Sequence, residues 1–326
     1  MTHPWSALLE TATAQSAQDS ETQLYPILDQ QIVQVNGPDS AKFMQGQFSC
    51  NLSEINGEQF RRGACCNAKG RMITSFSAAQ HGDDYLLAMD PELVEPTLAH
   101  LKKYMVFFKT QMTATNWVMA GLKGPDADTL IERLFNQVPA EAYQQANSEH
   151  GLVIKLPFNA GYELWINPDE ADNLFTELMA SCSVATSEMW RRNLIEHGLA
   201  QLTAHNQESL IPQMMNLGVT GGISFNKGCY TGQEIVARMQ YLGKLKRHGY
   251  VFSSTAADIP AGSEVFTHDK SSAIGEVVNV APSDQGCVLF AVVEDKYLEN
   301  ALTVQNHDGP AIELLSLPYD PIDSSS

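Results

Sequence analysis

One phrase occurs twice in this chain, and any fold has to accommodate both copies. Gly37-Pro38-Asp39-Ser40 follows the apolar alternation Ile32, Val33, Val35, and Gly124-Pro125-Asp126-Ala127 follows Trp117, Val118, Met119 and Leu122. Each reads as strand, tight turn, helix. Proline suits the first turn of a helix, where its missing N–H is not needed, and aspartate suits the positive helix end. The spacing of Ala41, Met44 and Phe48, and of Ala127, Leu130 and Leu134, predicts a core-facing helix after each turn. Two related α+β units are the economical explanation. The plainer one is coincidence, because Gly-Pro-Asp is a common turn.

The second unit continues with a hairpin, Leu152–Phe158 and Tyr162–Ile166 flanking Asn159-Ala160-Gly161. A helix is expected from Pro168, and another from Ser187 to His197 ending at Gly198, a natural helix-stop glycine. From about Gly249 the chain changes character. Tyr250–Phe252, Glu264–Thr267, Ala273–Val280 and Cys287–Val293 are short, β-branched and separated by turn residues, the pattern of a small antiparallel barrel or sandwich. The expected division is a flexible lead-in (1–24), a first α+β unit (25–115), a second (116–245), a C-terminal antiparallel β-barrel (246–318) and a loose tail (319–326).

Composition excludes several functions. The net charge of −18 repels a phosphate backbone, so direct, stable binding to nucleic acid is not expected unless a local basic patch overrides it. No run approaches the ~20 apolar residues of a membrane span, and no secretory signal opens the chain, so a cytoplasmic location is expected. The six cysteines are Cys50, Cys65, Cys66, Cys182, Cys229 and Cys287, and no C-x-x-C occurs. They read as reduced thiols with no metal or cluster site.

The most informative segment is Lys227-Gly-Cys-Tyr-Thr-Gly-Gln-Glu234. Thr231 and Glu234 have capping-box spacing, which places a helix start at Thr231 and Cys229 just ahead of it. A helix N-terminus and the nearby Lys227 both favour thiolate over thiol, which marks Cys229 and Lys227 as a candidate reactive pair. The alternative is a Gly-Cys turn with an inert thiol.

KGCYTGQE resembles the signature of the YgfZ family, relatives of the glycine-cleavage T-protein. Gly37–Gln47, Cys66–Ile73 and Trp190–Leu217 also resemble segments of that family, so the likeness runs from about residue 28 to 295. The resemblance implies a GcvT-like α+β fold of two related units plus a barrel, with a channel for tetrahydrofolate or a related folate. It implies support of iron–sulphur enzymes such as a tRNA methylthiotransferase. By the same likeness, Trp190 and the position of Gln30 are aromatic folate contacts in relatives, and Glu196 matches a carboxylate that pairs with the pterin ring. Tyr230 in the signature joins this folate-facing set. T-proteins carry an acidic pair after the glycine that matches Gly70. Here Thr74 and Ser75 stand in its place, and neither hydroxyl is a carboxylate base at neutral pH.

Arg238, Lys244, Lys246 and Arg247 form a local basic stretch in an acidic chain, a candidate for the glutamate tail of folate or an anionic partner, or an ordinary solvated loop. Three readings remain open: a folate-dependent maintenance factor, a tetrahydrofolate-dependent one-carbon transferase, and a binding module without chemistry.

Overall fold

The computed structural model describes residues 21–322, apart from Leu242 and Lys244. Most of the expected lead-in, Lys244 of the basic stretch and the last four residues of the tail therefore lie outside the described residues.

In chain order the first half contains β1 (Gln23–Ile27), β2 (Gln31–Asn36), α1 (Ser40–Gln45), β3 (Arg61–Cys66), β4 (Met72–His81), β5 (Asp84–Met89), α2 (Pro91–Met105) and β6 (Gln111–Ala114). Then come β7 (Val118–Lys123), α3 (Ala127–Phe135), β8 (Gln145–Ser148), β9 (Gly151–Lys155), β10 (Tyr162–Ile166), α4 (Ala171–Met179) and β11 (Ser183–Val184). Helices α5 (Ser187–Glu196) and α6 (Gln233–Tyr241) lead into the last domain. Its strands are β12 (Arg247–Ser254), β13 (Glu264–Thr267), β14 (Lys270–Ser283), β15 (Gly286–Glu294), β16 (Leu302–Val304) and β17 (Ala311–Leu315). These six close into an antiparallel barrel, which removes the exposed edges that short strands otherwise present.

The repeated phrase is a repeat in space. One sheet has the order β3-β4-β5-β2-β6, the other β8-β9-β10-β7-β1-β11. In each, the strand ahead of Gly-Pro-Asp lies antiparallel to a neighbour, β6 beside β2 and β1 beside β7. Both glycines sit at positive φ, +114° for Gly37 and +139° for Gly124. A Cβ on Gly37 would lie 2.4 Å from the Lys109 carbonyl oxygen, and one on Gly124 would lie 2.4 Å from Thr22 Cα, each just ahead of that neighbouring strand. The aspartates occupy the N-cap positions without capping. Asp39 instead accepts the Lys109 N–H at 2.8 Å, and the Asp126 N–H donates to Thr22 Oγ1 at 2.8 Å.

The sequence division differs from the sheets at one point. Gln23–Ile27 pairs with Val118–Lys123, so β1, ahead of the first unit, belongs to the second sheet. Alternation reports which side of a strand is buried but not its partner. Helix α1 is also shorter than its spacing suggested. It buries Ser40, Phe43 and Met44, leaves Ala41 exposed, and Phe48 instead bridges to Cys65 beyond its end. The tail is anchored at its start, because Tyr319 donates its hydroxyl to the Gly198 carbonyl at 2.8 Å.

Both turn glycines are tested by alanine. Gly37→Ala and Gly124→Ala should each cost ~2 kcal/mol or more in urea unfolding, because positive φ and a backbone clash coincide. Gly82→Ala, at φ +60° with nothing within 4 Å, should cost only ~1 kcal/mol. Equal losses at all three would show that the close approaches carry no weight.

Candidate functional site

A cavity of about 550 Å³ lies where both sheets, α5 and the barrel meet. That size is typical of small-molecule sites. Its lining comes from every part of the chain: Ile27 and Gln30 at the β1–β2 turn, Asp90 after β5, Glu163 on β10, Trp190 on α5, residues 199–203, and Val278–Val280 on β14.

Trp190 forms the floor. Helix α5 is capped by Thr186, whose Oγ1 accepts the Met189 N–H at 3.3 Å, and it stops at Gly198 with φ +66°. These ends fix the helix, and Trp190 lies flat on Gly121 of β7. A Cβ there would be 2.4 Å from the indole, so only glycine leaves the ring its seat. Tyr25 packs on it with ring centroids 5.2 Å apart. The indole is 1% exposed. It therefore shapes the cavity from below and does not stand in it as a free stacking platform.

Glu163 is the carboxylate at the cavity wall. Its neighbours on the strand are apolar, and burial pushes its pKa up to about 6, offset by the Trp165 N–H at 3.0 Å and by Arg62. Arg62 is itself buried on β3 and donates to the Ala200 carbonyl and to Thr220 Oγ1, tying the first sheet to the cavity loop. On another wall Gln30 donates to Gln201 Oε1, and the Gln201 N–H donates to Asn279 Oδ1 at 3.0 Å, which joins turn, loop and barrel. Gln30 Oε1 is buried with no hydrogen-bond partner. At the rim Arg191 pairs with Asp29 at 2.7 Å. Asp90 caps α2 by accepting the Glu92 N–H at 2.8 Å, and burial raises its pKa.

Of the folate-facing candidates, Trp190 and Gln30 line this cavity and Glu196 does not. Glu196 follows Trp190 by six residues, which leaves it about 120° away round the helix, and it pairs with Arg192 at 2.8 Å outside the cavity lining. Glu163 was missed by sequence reasoning. Its signal was a single carboxylate inside the apolar strand Tyr-Glu-Leu-Trp-Ile. Thr74 and Ser75 are buried in β4, where Thr74 Oγ1 donates to the Ser75 carbonyl at 3.0 Å and Ser75 Oγ accepts the Leu202 N–H at 2.8 Å.

The signature segment packs elsewhere, against the first unit. Lys227 donates to the carbonyls of Phe48 and Cys50 at 2.6 and 2.8 Å and rests 5.0 Å from the Tyr230 ring centroid. Burial lowers its pKa to about 8. The ammonium is thus committed to backbone carbonyls, and Tyr230 is buried beneath it. The expected capping box does not form. Thr231 Oγ1 donates to Gln47 Oε1 at 3.2 Å, α6 begins at Gln233, and Gln233 Oε1 accepts the Tyr230 N–H at 3.2 Å. Gly232 permits close packing, since a Cβ there would lie 2.6 Å from the Asn67 carbonyl oxygen. Cys229 is an exposed free thiol that is not part of the cavity lining. Arg238 is exposed on α6, and Arg247 pairs with Glu294 at 3.3 Å; neither lines the cavity. Among the described residues, no group of three or more His, Cys, Asp or Glu side chains is placed to hold a metal ion.

The GCVT N-terminal domain model matches residues 28–187. The tRNA-modifying protein YgfZ of Sodalis glossinidius is 32% identical over 303 residues, covering 91% of this chain and 92% of that protein. The chain belongs to the YgfZ family. YgfZ of Shigella boydii serotype 4 is 30% identical over 297 residues, covering 89% of this chain and 91% of its own. Among solved structures, the glycine cleavage system aminomethyltransferase T from Bartonella henselae superposes with a TM-score of 0.76 at 17% identity, covering 98% of this chain and 97% of that one. This YgfZ-family chain therefore has the aminomethyltransferase T fold, with two α+β units and a barrel.

The elevated Glu163 pKa has a stability consequence. A carboxyl whose folded pKa is raised is costly when charged; the cost is absent below its unfolded value of 4.5 and complete above about 6. Glu163→Gln, which keeps an acceptor for Trp165, should stabilise the protein at pH 8 by up to ~2 kcal/mol. At pH 4 the gain should vanish. Urea midpoints at the two pH values measure this, and an equal gain at both would show that the buried charge is not its source.

Proposed function

We propose that this chain binds a reduced folate in the cavity above Trp190 and thereby supports iron–sulphur enzymes that modify tRNA, a methylthiotransferase among them, in the cytoplasm. The cavity itself carries this reading. It combines a flat apolar floor with a buried carboxylate and an unpartnered amide oxygen, Gln30 Oε1. A pterin ring presents several N–H donors on one edge, which Glu163 and Gln30 Oε1 would accept. A bound reduced folate would supply a one-carbon carrier. The chain's own residues would orient the ring, exclude water and hold a proton at the Glu163 carboxyl, whose pKa of about 6 lies close to neutrality. The names of the relatives, tRNA-modifying proteins, support the link to tRNA, and the absence of a helix apolar enough to cross a membrane among the described residues is compatible with the location.

The transferase reading is weaker. The positions of the T-protein acidic pair hold Thr74 and Ser75, and both hydroxyls are occupied within the strand and loop. In our reading Cys229 acts at the protein's outer face, because its thiol is exposed and lies outside the cavity lining. Lys227 would shape that loop through the Phe48 and Cys50 carbonyls.

The test is rescue of a deletion strain, scored by methylthiolated tRNA and by iron–sulphur enzyme activity. The wild-type chain should restore both. Cys229→Ser should fold with an unchanged urea midpoint and restore neither. Failure of the wild-type chain would overturn the proposed function, and full rescue by Cys229→Ser would remove the thiol from it.

A further inference from the structure

The chain carries one exposed apolar feature that neither the cavity nor the signature uses. After α2 the backbone turns at Val106–Phe107, and these side chains are 75% and 90% exposed. Packing does not force them outward. Their neighbours Met105 and Phe108 pack, half-buried, onto the core of the first unit, so one of two adjacent phenylalanines is partly covered and the other is presented to solvent. A solvated Val-Phe pair is a solubility liability unless something covers it.

Charge surrounds the tip. Lys102, Lys103 and Lys109 flank it in sequence and are exposed, and Tyr104 is 39% exposed beside them. Exposed Lys42 lies on α1, whose Phe43 packs edge-on against Phe108 at 5.3 Å. None of the four lysines joins an ion pair among the described residues. The carboxylate beside them, Asp39, accepts the Lys109 backbone N–H. Four lysines without an ion pair near an apolar tip, against the single Asp39 carboxylate bonded to Lys109, are a local reversal in a chain of net charge −18.

The tip also has a place relative to the signature. Asp39, ahead of α1, is bonded to Lys109, and Gly46, at the other end of α1, accepts the Thr231 N–H at 3.2 Å. Six helical residues span about 9 Å, so a single partner surface can reach both the tip and the loop that bears Cys229.

We propose that the Val106–Phe107 tip with Lys42, Lys102, Lys103 and Lys109 is a docking surface for a protein that presents an apolar pocket rimmed by carboxylates. It rests on the proposed function, in which that protein is the served iron–sulphur enzyme. A buried aromatic plug with a charged rim is the usual anatomy of an interface hot spot. RNA fits less well: Phe107 and Tyr104 could stack on bases, but Val106, 75% exposed at the same tip, offers them no face, and the chain's net charge of −18 opposes a phosphate backbone.

Two double variants test this, Val106→Ser/Phe107→Ser and Lys102→Glu/Lys103→Glu, each first checked for an unchanged urea midpoint and tetrahydrofolate affinity. Binding of the fluorescently labelled chain to the purified tRNA methylthiotransferase of the same organism is followed by anisotropy. The wild-type chain should bind, each variant should weaken binding at least tenfold, and added salt should weaken the wild type more than the lysine variant. No binding of the wild type, or equal binding by all three, overturns the docking surface. In the deletion strain the apolar variant should fail to rescue. Rescue by both chains would overturn the surface and leave the proposed function standing, whereas failure of the wild type would strike the function itself. Binding of labelled tRNA that these substitutions abolish would make the tip a nucleic-acid surface. A dimer in sedimentation that they dissolve would make it a contact with a second copy. Either result overturns the protein partner.

Discussion

The seating of Trp190 on Gly121 is the contact on which the cavity depends. Helix α5 crosses the second sheet at β1 and β7, and its other side packs against the barrel strand β14. A side chain at position 121 would lift the indole, and with it the helix that separates sheet from barrel. The floor, the Gln30–Gln201–Asn279 wall and the Glu163 carboxylate would then lose their common reference. A missing side chain in a strand here has a positive structural role.

The second constraint is the exchange of β1. The described residues start in the second sheet with β1, cross to the first through the Asp29-Gln30 turn, and return only at β7. That turn therefore sits between the units, which is why Gln30 lines the cavity and Asp29 reaches Arg191 on α5. Because the second sheet takes β1 from ahead of the first sheet's strands, the two units are joined by a shared strand as well as by the chain between β6 and β7.

Much of this was legible in the sequence. The Gly-Pro-Asp pair announced a repeat, and the glycine conformations explain why the turn was kept twice. The helix stop at Gly198 and the four main barrel strands followed from local signals that tertiary packing did not override. Pairing was not legible: nothing in Gln23–Ile27 says that its partner lies almost a hundred residues on. The site divided the same way. Trp190 lines the cavity, with its ring buried beneath the space and not free within it. Glu196 shares a helix with Trp190 yet faces away, because helical phase separates them. Glu163 was missed because a carboxylate in a strand reads as a solvent-facing position until the second face of that strand is known to be covered. The signature's threonine looked like a cap, but Gln47 offered its hydroxyl a tertiary partner.

We propose that the space above Trp190 takes a reduced folate through Glu163. Calorimetric titration with tetrahydrofolate tests it most directly, using the wild-type chain, Glu163→Gln and Glu196→Gln. The wild type should bind saturably, Glu163→Gln at least tenfold more weakly, and Glu196→Gln, whose carboxylate pairs with Arg192, as the wild type does. An absence of saturable binding up to about 1 mM, an affinity of only ~4 kcal/mol, would contradict it. So would a loss confined to Glu196→Gln.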